Sequence, residues 1–394
     1  MKKGVVALGV IGAFLAGCSV SEYQNVARGA LSGDPTGAIK NIAINKSVRY
    51  ASNPESLQRD IDSLSASFKQ MLAVFVGEAA KEWGEDNVKE PSKKVYVKYT
   101  QNYKSRAEVD FDSGNIRVET VDNTNPKASL KQAIVTTILT PEDPRGVDLY
   151  SSKDVEFTGE PFLAGLVKDQ DGKVVLYKWR AGRYADYLIK NRLKSDNIEV
   201  KGKTHKRYYV NFDMVKGKES VNTNKYASLV KKYAAANGVE ESLVYAIIKT
   251  ESSFNPYAVS SAPAYGLMQV VRSTAGRDVY RDMHGRDGMP TKDDLFDPNT
   301  NIAYGTRYLN ILFNRYLKGV HNPVSREYCV ISAYNGGAGN VFKTFSSSRS
   351  KALGHINSLD SNAVYWKLKS EHPFSESRNY LVKVTNSKKE FVRY

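Results

Sequence analysis

The sequence predicts a chain with two folded parts: an α+β domain with an antiparallel sheet, then an all-α domain. Its 394 residues exceed one ordinary domain and suit two domains plus a tether. Before about residue 220, several segments alternate apolar and polar residues with a period of two, as strands with one buried face do. After about residue 223 the apolar spacing becomes three and four residues, which indicates helices.

The N-terminal part begins with a predicted amphipathic helix over residues 57–83. Its apolar positions at helical spacing are Ile61, Leu64, Phe68, Met71, Leu72 and Phe75. Residues 93–100 and 106–121 alternate, and the turn Asp112-Ser113-Gly114 within the second segment predicts a β-hairpin. A helix over 128–140 and strands over 173–179 and 205–215 are also predicted. Residues 46–222 therefore form the predicted α+β domain.

The C-terminal part, residues 223–394, is predicted to be all helical. Residues 225–238 end on Asn237-Gly238, a C-cap signal, and residues 239–254 follow with acidic residues in the first turn. Residues 300–317 and 327–345 continue the helical pattern. The segment 266–271, "GLMQVV", is predicted to restart a helix after a bend rich in proline and serine.

The first residues predict export. A cationic start, "MKK", precedes an apolar run too short to span a bilayer, and Cys18 follows at once. "LAGC" resembles the lipobox of bacterial lipoproteins, which implies a signal peptide over 1–17 and a lipidated Cys18 followed by a tether over 18–45. Ser19 in place of aspartate implies the outer membrane, with the protein facing the periplasm. An ordinary signal peptide that happens to end in cysteine is the alternative.

Composition limits the partners and cofactors. The formal net charge of +15 and the 25 tyrosines suit nucleic acid, an anionic membrane or an acidic polysaccharide. Export and the lack of a recognisable nucleic-acid module argue against nucleic acid. The five histidines show no metal-ligand spacing, so no metal or other cofactor is expected. Cys329 lies in an apolar stretch and is predicted to be a small buried hydrophobe without a catalytic role.

Glu251 is the candidate catalytic residue. It follows Ile247 by four positions and Ile248 by three, which places it on the apolar face of its helix near the C-terminal end. Burial and the negative end of the helix dipole both raise a carboxyl pKa, so Glu251 is predicted to stay protonated near neutral pH, as a general acid requires. The alternative is a structural glutamate paired with a buried arginine or bonded to the following turn.

Three spaced motifs resemble one enzyme family. They are Glu-Ser-Ser-Phe-Asn-Pro at 251–256, Gly-Leu-Met-Gln at 266–269 and Ala-Tyr-Asn-Gly-Gly at 333–337. Together they are similar to the signature of the family 1 lytic transglycosylases. The resemblance covers about residues 223–394 and implies a goose-lysozyme-like helical catalytic domain that cleaves peptidoglycan. It leaves the role of the N-terminal domain open.

The resemblance also implies residue roles. Glu251 matches the single catalytic acid and base, and Tyr334 matches the tyrosine that approaches it. The implied substrate contacts are Ser260, Met268, Gln269, Tyr334 and Asn335. Met268 and Tyr334 also fit packing roles, as a core side chain and as the donor to a buried acceptor. Pro263 stands where the family often has glycine, which restricts the bend and makes the placement of Ser260 less certain.

One acidic group limits the chemistry. Between Glu251 and Asp278 the sequence has no acidic residue, whereas common glycoside hydrolases use two carboxyl groups. The resemblance implies a non-hydrolytic cleavage between N-acetylmuramic acid and N-acetylglucosamine that leaves 1,6-anhydromuramic acid. A muramidase and a catalytically silent murein-binding lipoprotein are the alternatives. Six tyrosines are candidate sugar-stacking faces, although packing is the alternative for each: Tyr245, Tyr257, Tyr265, Tyr304, Tyr308 and Tyr316.

Overall fold

The computed structural model describes residues 54–260 and 264–392. The predicted signal peptide, Cys18, the tether and the Pro263 bend lie outside the described residues. Residues 54–217 are called the sheet region below, and residues 218–392 the helical region. This order of an antiparallel sheet followed by helices confirms the predicted fold class.

The sheet region contains three helices and a five-stranded antiparallel sheet of order β1-β2-β3-β5-β4. Its elements are α1 (Pro54–Trp83), β1 (Val95–Thr100), β2 (Ser105–Asp110), β3 (Asn115–Thr120), α2 (Pro126–Leu139), α3 (Lys178–Arg192), β4 (Lys194–Val200) and β5 (Lys203–Asp213). Val109 pairs with Ile116 across the turn that contains Asp112, so the predicted hairpin is confirmed. The predicted helices at 57–83 and 128–140 and the strand at 205–215 are also confirmed.

The predicted strand at 173–179 is wrong. Val174 forms only an isolated bridge with Lys168, and α3 begins at Lys178. Val175 is the inward-facing residue of this short alternation and is almost fully buried. The helix α3 and the strand β4 were both missed. The signal for α3 is its buried residues at helical spacing, Ala181, Tyr184, Ala185 and Leu188.

The helical region contains ten helices among the described residues. They are α4 (Lys218–Asn237), α5 (Glu241–Ser252), α6 (Ala275–His284), α7 (Lys292–Phe296), α8 (Pro298–Ile311), α9 (Pro323–Gly336), α10 (Ala338–Phe345), α11 (Arg349–Ser358), α12 (Ser361–Glu371) and α13 (Ser375–Phe391). A single π turn, Leu312–Tyr316, extends α8. Gly238 ends α4 in the left-handed conformation, as the sequence predicts. The predicted boundary between residues 222 and 223 falls inside α4, and the domain division stays a prediction.

The predicted helix at 266–271 is wrong, because this segment forms a tight hairpin. Strand β6 (Ala264–Tyr265) pairs antiparallel with β7 (Val270–Val271). Gly266 and Gln269 both have positive φ, 72° and 49°, which a right-handed helix excludes. A Cβ on Gly266 would lie 2.4 Å from both Asn301 Nδ2 and the Leu295 carbonyl oxygen, so only glycine fits.

The two regions share a continuous buried core. Tyr257, which follows α5, is fully buried between Tyr96 and Phe162 of the sheet region, with ring centroids 5.0 and 5.4 Å away. Its hydroxyl donates to the Pro141 carbonyl oxygen over 2.5 Å. The sheet region therefore helps to fix the loop after α5. Within the part of the chain that the structure describes, no helix is both long enough and apolar enough to cross a membrane.

Candidate active site

Glu251 lies in the last turn of α5 with 5% of its surface exposed. The neighbouring turns of α5 are apolar and buried, as the predicted helix face requires. Burial raises the pKa of the Glu251 carboxyl. The charge of Lys93 and the hydroxyl of Tyr380 act in the opposite direction, but their effects are smaller. The predicted direction of the pKa is confirmed, and a carboxyl with this environment suits proton donation.

Four polar side chains from three other segments surround the Glu251 carboxyl. Lys93 Nζ, from the segment before β1, lies 3.6 Å from Oε2. The Tyr380 hydroxyl of α13 interacts with the same carboxyl. The negative charge of Glu376, also in α13, raises the pKa of Glu251. Burial raises the pKa of Tyr334 in α9, and the nearby charge of Glu251 raises it further. The arginine partner of the structural alternative is not found here among the described residues.

The loop after α5 is rigidly tied on both sides. Ser253 is left-handed, with φ 50°, and its backbone N–H caps the Lys249 carbonyl oxygen. The Ser252 hydroxyl donates to the Leu267 carbonyl oxygen over 2.8 Å, which joins the helix end to the β6–β7 hairpin. The Ser253 hydroxyl donates to Asp112 Oδ1 over 2.7 Å and joins it to the sheet region. Glu251 is therefore presented by a helix end with little freedom.

Asn301 of α8 holds the β6–β7 hairpin in place. Its Nδ2 donates to the carbonyl oxygens of Tyr265 and Leu295 over 2.8 and 2.6 Å, and its Oδ1 accepts from the Met268 N–H over 2.8 Å. The Asn301 side chain is fully buried. The side-chain amide of Asn301 thus forms three hydrogen bonds, all with backbone groups, and thereby fixes the β6–β7 hairpin.

Tyr334 connects the second and third motifs. Its hydroxyl donates to the Met268 carbonyl oxygen over 2.9 Å, while its ring packs on Tyr308 with centroids 5.6 Å apart. The approach to Glu251 and the satisfaction of a buried acceptor, which were separate expectations, are thus combined in one residue. The neighbouring Asn335 accepts a hydrogen bond from the Ser377 hydroxyl over 2.6 Å through Oδ1.

The structure gives the remaining predicted groove residues mainly framework roles. Met268 has no exposed surface and fills the space beside Gly305, so its side chain does not reach a groove. Gln269 is 6% exposed, and its Nε2 donates to the carbonyl oxygens of Ala258 and Gly266. The half-buried Ser260 accepts from the Ala264 N–H over 3.1 Å. Substrate contact through the Met268 side chain is therefore not supported by this geometry.

A cleft of about 470 Å³ opens beyond Tyr308. Its lining includes Tyr308, Tyr316, Asp278, Phe342, Lys343 and Arg349. The Tyr316 hydroxyl donates to Asp278 Oδ2 over 2.9 Å. The other four tyrosines predicted as sugar-stacking faces are buried in the core and take the packing alternative: Tyr245, Tyr257, Tyr265 and Tyr304.

Comparison with known proteins decides the family. A family model described as membrane-bound lytic murein transglycosylase C, N-terminal domain, matches residues 55–225, and a transglycosylase SLT domain matches residues 228–357. A protein named membrane-bound lytic murein transglycosylase C from Yersinia pestis (strain Pestoides F) is 45% identical over 328 residues, which are 83% of this chain and 90% of that protein. The chain belongs to the membrane-bound lytic murein transglycosylase C family.

Two further matches accompany this result. The protein of the same name from Serratia proteamaculans (strain 568) is 45% identical over 340 residues, which cover 86% of this chain and 92% of that protein. The 70-kDa soluble lytic transglycosylase from Escherichia coli is a solved structure with 29% identity and a TM-score of 0.32, covering 41% of this chain and 23% of that longer chain. The SLT family model and the 45% identity to the two named relatives confirm the prediction of a lytic transglycosylase family from three short motifs.

The family motifs do not contain several residues that shape the site. Lys93, Glu376 and Tyr380 meet Glu251 from distant parts of the sequence, and Asn301 clamps the hairpin. Lys93 is one of many lysines and carries no local pattern that marks it. Asn301 is the second residue of the predicted helix 300–317 and follows the polar Asn299 and Thr300, so nothing in the local sequence marks it.

Metal and thiol chemistry have no visible site in the described ranges. Residues 54–260 and 264–392 contain no group of three or more metal-ligating side chains that could hold an ion. Cys329 is fully buried in α9, and burial raises the pKa of its thiol to about 12. The prediction that Cys329 is a small buried hydrophobe is confirmed.

Proposed function

We propose that this chain is a peptidoglycan lytic transglycosylase in which Glu251 is the single acid and base. The reaction class follows from membership of the lytic murein transglycosylase C family. The observation that carries the residue assignment is the Glu251 carboxyl itself, which is buried, has a raised pKa and lies at the meeting point of all three sequence motifs.

The first step needs a proton donor. Glu251 donates its proton to the oxygen that links N-acetylmuramic acid to N-acetylglucosamine, and the bond from that oxygen to C1 of the muramic sugar breaks. The positive charge that develops at C1 is met by the N-acetyl oxygen of the same sugar, which is substrate assistance. Burial favours this step because it keeps the carboxyl protonated to higher pH.

The second step uses the same group as a base. The ionised Glu251 takes the proton from the C6 hydroxyl of the muramic sugar, and that oxygen attacks C1 to close a 1,6-anhydro ring. The proton lost in the first step is recovered, so Glu251 is regenerated and no water is consumed. A second protein carboxylate is therefore not required for this route.

The groove roles are also part of the proposal. Gln269 Oε1 is buried without a hydrogen-bond partner among the described residues, so it is available to accept from the sugar near the scissile bond. Ser260, Tyr334 and Asn335 are also proposed to contact the glycan. Met268 is proposed to support Tyr334 through its carbonyl oxygen rather than through its side chain.

The location and the domain division rest on the sequence. Residues 1–17 are proposed as a signal peptide, Cys18 as the lipidated residue and 18–45 as a tether to the outer membrane, with the enzyme facing the periplasm. Residues 46–222 and 223–394 are the proposed N-terminal and catalytic domains. Metabolic labelling with palmitate and membrane fractionation test the anchor, since Cys18→Ala should abolish both the label and the membrane association. A labelled Cys18→Ala protein would refute it.

Product analysis tests the reaction. Intact sacculi are digested with the wild-type protein and with Glu251→Gln, and the muropeptides are analysed by mass spectrometry. The proposal expects anhydromuramic ends from the wild type and almost none from the variant, with binding to sacculi retained. Unchanged turnover in Glu251→Gln would support the silent murein-binding alternative instead.

The muramidase alternative has one observation in its favour, which is the second carboxylate, Glu376, beside the site. Lys93 Nζ lies 3.6 Å from Glu251 Oε2 and 3.7 Å from Glu376 Oε1. Hydrolysis would give reducing muramic ends that depend on Glu376. Mainly reducing ends from the wild type, lost in Glu376→Gln, would replace the transglycosylase proposal.

A further inference from the structure

Lys93 is a residue of the sheet region that reaches the proposed acid of the helical region. It lies between a short 3-10 helix, Glu85–Asn87, and β1, outside all three sequence motifs. Its ammonium is 3.6 Å from Glu251 Oε2 and 3.7 Å from Glu376 Oε1, so one cation stands between two carboxyl groups. The Lys93 side chain is 37% exposed, which leaves it at the border of the site and solvent.

The backbone around Lys93 is fixed by several hydrogen bonds. Asn255 Nδ2, from the loop after Glu251, donates to the Lys93 carbonyl oxygen over 3.3 Å, and Asn255 is fully buried. The Ser92 N–H donates to the Val95 carbonyl oxygen over 2.9 Å, and the Phe111 N–H donates to the Lys94 carbonyl oxygen over 2.9 Å. The approach of Lys93 to Glu251 is therefore built into the junction of the two regions.

The neighbouring lysine provides a contrast. Lys94 points instead to the Asp112 carboxylate, with Nζ 2.7 Å from Oδ1. Asp112 in turn accepts from the Ser253 hydroxyl. Two adjacent lysines thus have different tasks, since Lys94 belongs to the structural junction whereas Lys93 faces the reacting group.

We propose that Lys93 is a positioning residue of the active site, whose ammonium orients the Glu251 carboxyl and stabilises its charged form after the proton has left. The inference rests on the proposed role of Glu251 as the acid. It assigns the sheet region a direct part in the chemistry of the helical region, because the ammonium comes from one region and the carboxyl from the other.

The charges around Glu251 set the sign of the expected effect. Burial favours the protonated form, Lys93 and the Tyr380 hydroxyl favour the ionised form, and Glu376 favours the protonated form. Tyr334 faces the carboxyl from α9 as a neutral phenol, because burial holds its pKa well above the ordinary value. Removal of Lys93 should therefore keep Glu251 protonated to higher pH, and removal of Glu376 should have the opposite effect.

The experiment measures kcat/KM against pH for the full chain on soluble, uncrosslinked peptidoglycan strands, since this parameter reports ionisations of the free enzyme. The variants are Lys93→Met, Lys93→Arg and Glu376→Gln, and Lys94→Met is the matched control. Lys93→Met should move the alkaline limb of the profile to higher pH, and Lys93→Arg should return it toward the wild type. Glu376→Gln should move the limb to lower pH, while Lys94→Met should leave its position unchanged.

The possible failures are distinguishable. A Lys93→Met limb that coincides with the wild type, or one that moves equally in Lys94→Met, would overturn the role of Lys93 while the proposed reaction stands. Full activity of Glu251→Gln would overturn the proposed function itself. If Lys93→Met does not fold, Lys93→Gln takes its place, because glutamine keeps a polar group at this 37% exposed position, and its limb must likewise move to higher pH.

Discussion

Glu251 and Glu119 are both buried glutamates, one in each region of the molecule, yet their surroundings differ sharply. Glu251 is 5% exposed and faces one lysine at 3.6 Å, whereas Glu119 is 3% exposed and pairs with Arg106, Arg117 and Arg207. Burial by itself acts to raise the pKa of both carboxyl groups. At Glu119 the arginine charges and hydrogen bonds outweigh burial and lower the pKa, while at Glu251 burial prevails and the pKa is raised.

The comparison shows that burial alone does not identify a catalytic acid. At these two glutamates, the cations that reach the carboxyl decide whether its pKa lies below or above the ordinary value. Glu119 has the arginine-paired structural environment that was the alternative for Glu251. This contrast can be tested by the same substitution at both positions.

The largest effect on activity is expected for Glu251→Gln. The amide keeps the size of the side chain but cannot donate a proton to the glycosidic oxygen, and general acid catalysis contributes about 10²- to 10⁴-fold. The release of anhydromuropeptides should fall by at least that factor, while the variant should still fold and bind sacculi. Glu119→Gln is the matched control, because its folded fraction should keep the wild-type specific activity. Equal losses of specific activity in both variants would contradict the assignment.

The largest effect on stability is expected for Glu119→Gln. The variant leaves the buried Arg106 guanidinium without its carboxylate, and breaking a buried pair costs about 3–5 kcal/mol. Urea unfolding at neutral pH measures this loss. Because the folded pKa of Glu119 is lowered, its contribution is present above 4.5 and disappears as the pH falls through the lowered value, so the two proteins should converge in acid. A pH-independent difference would contradict this account.

A smaller effect of opposite sign is expected for the stability of Glu251→Gln. A raised folded pKa favours folding below 4.5, and this advantage is lost as the pH rises through the folded value. Above it, the wild type must hold a poorly compensated buried charge, so the glutamine variant should be more stable by about 1 kcal/mol. Urea unfolding across pH checks the crossover. A variant that is less stable than the wild type at alkaline pH would show that the Glu251 charge is well paired.

The smallest effect is expected for Arg207→Met in the sheet region. Arg207 Nη1 lies 3.7 Å from Glu119 Oε1, and its closer partner is the partly exposed Asp196. Since Arg106 and Arg117 remain, the free energy of unfolding should fall by only about 0.5–1 kcal/mol. A loss as large as that of Glu119→Gln would mean that Arg207, rather than Arg106, is the main partner of the buried carboxylate.

The sequence predicted most of the elements and the burial of Glu251 on the apolar face of its helix. Glu251 was identifiable because its helix face, its terminal position and the three motifs all lie in short local patterns. The β6–β7 hairpin was predicted as a helix because the six residues 266–271 are too few for their apolar spacing to distinguish a helix from a hairpin. The positive φ values of Gly266 and Gln269 occur in a hairpin that Asn301 holds through tertiary contacts. Lys93 and Tyr380 were missed because tertiary packing brings them to Glu251.

The most direct test of the contrast is a pH titration of the two carboxyl groups. Carbon-13 labelling of glutamate side chains and NMR follow the carboxyl shifts, and the signals are assigned by their loss in Glu251→Gln and Glu119→Gln. The account predicts that Glu251 titrates above 4.5 and Glu119 below it in the same sample. A Glu251 signal that titrates at or below 4.5 would contradict the claim that this buried carboxyl is held ready as the acid.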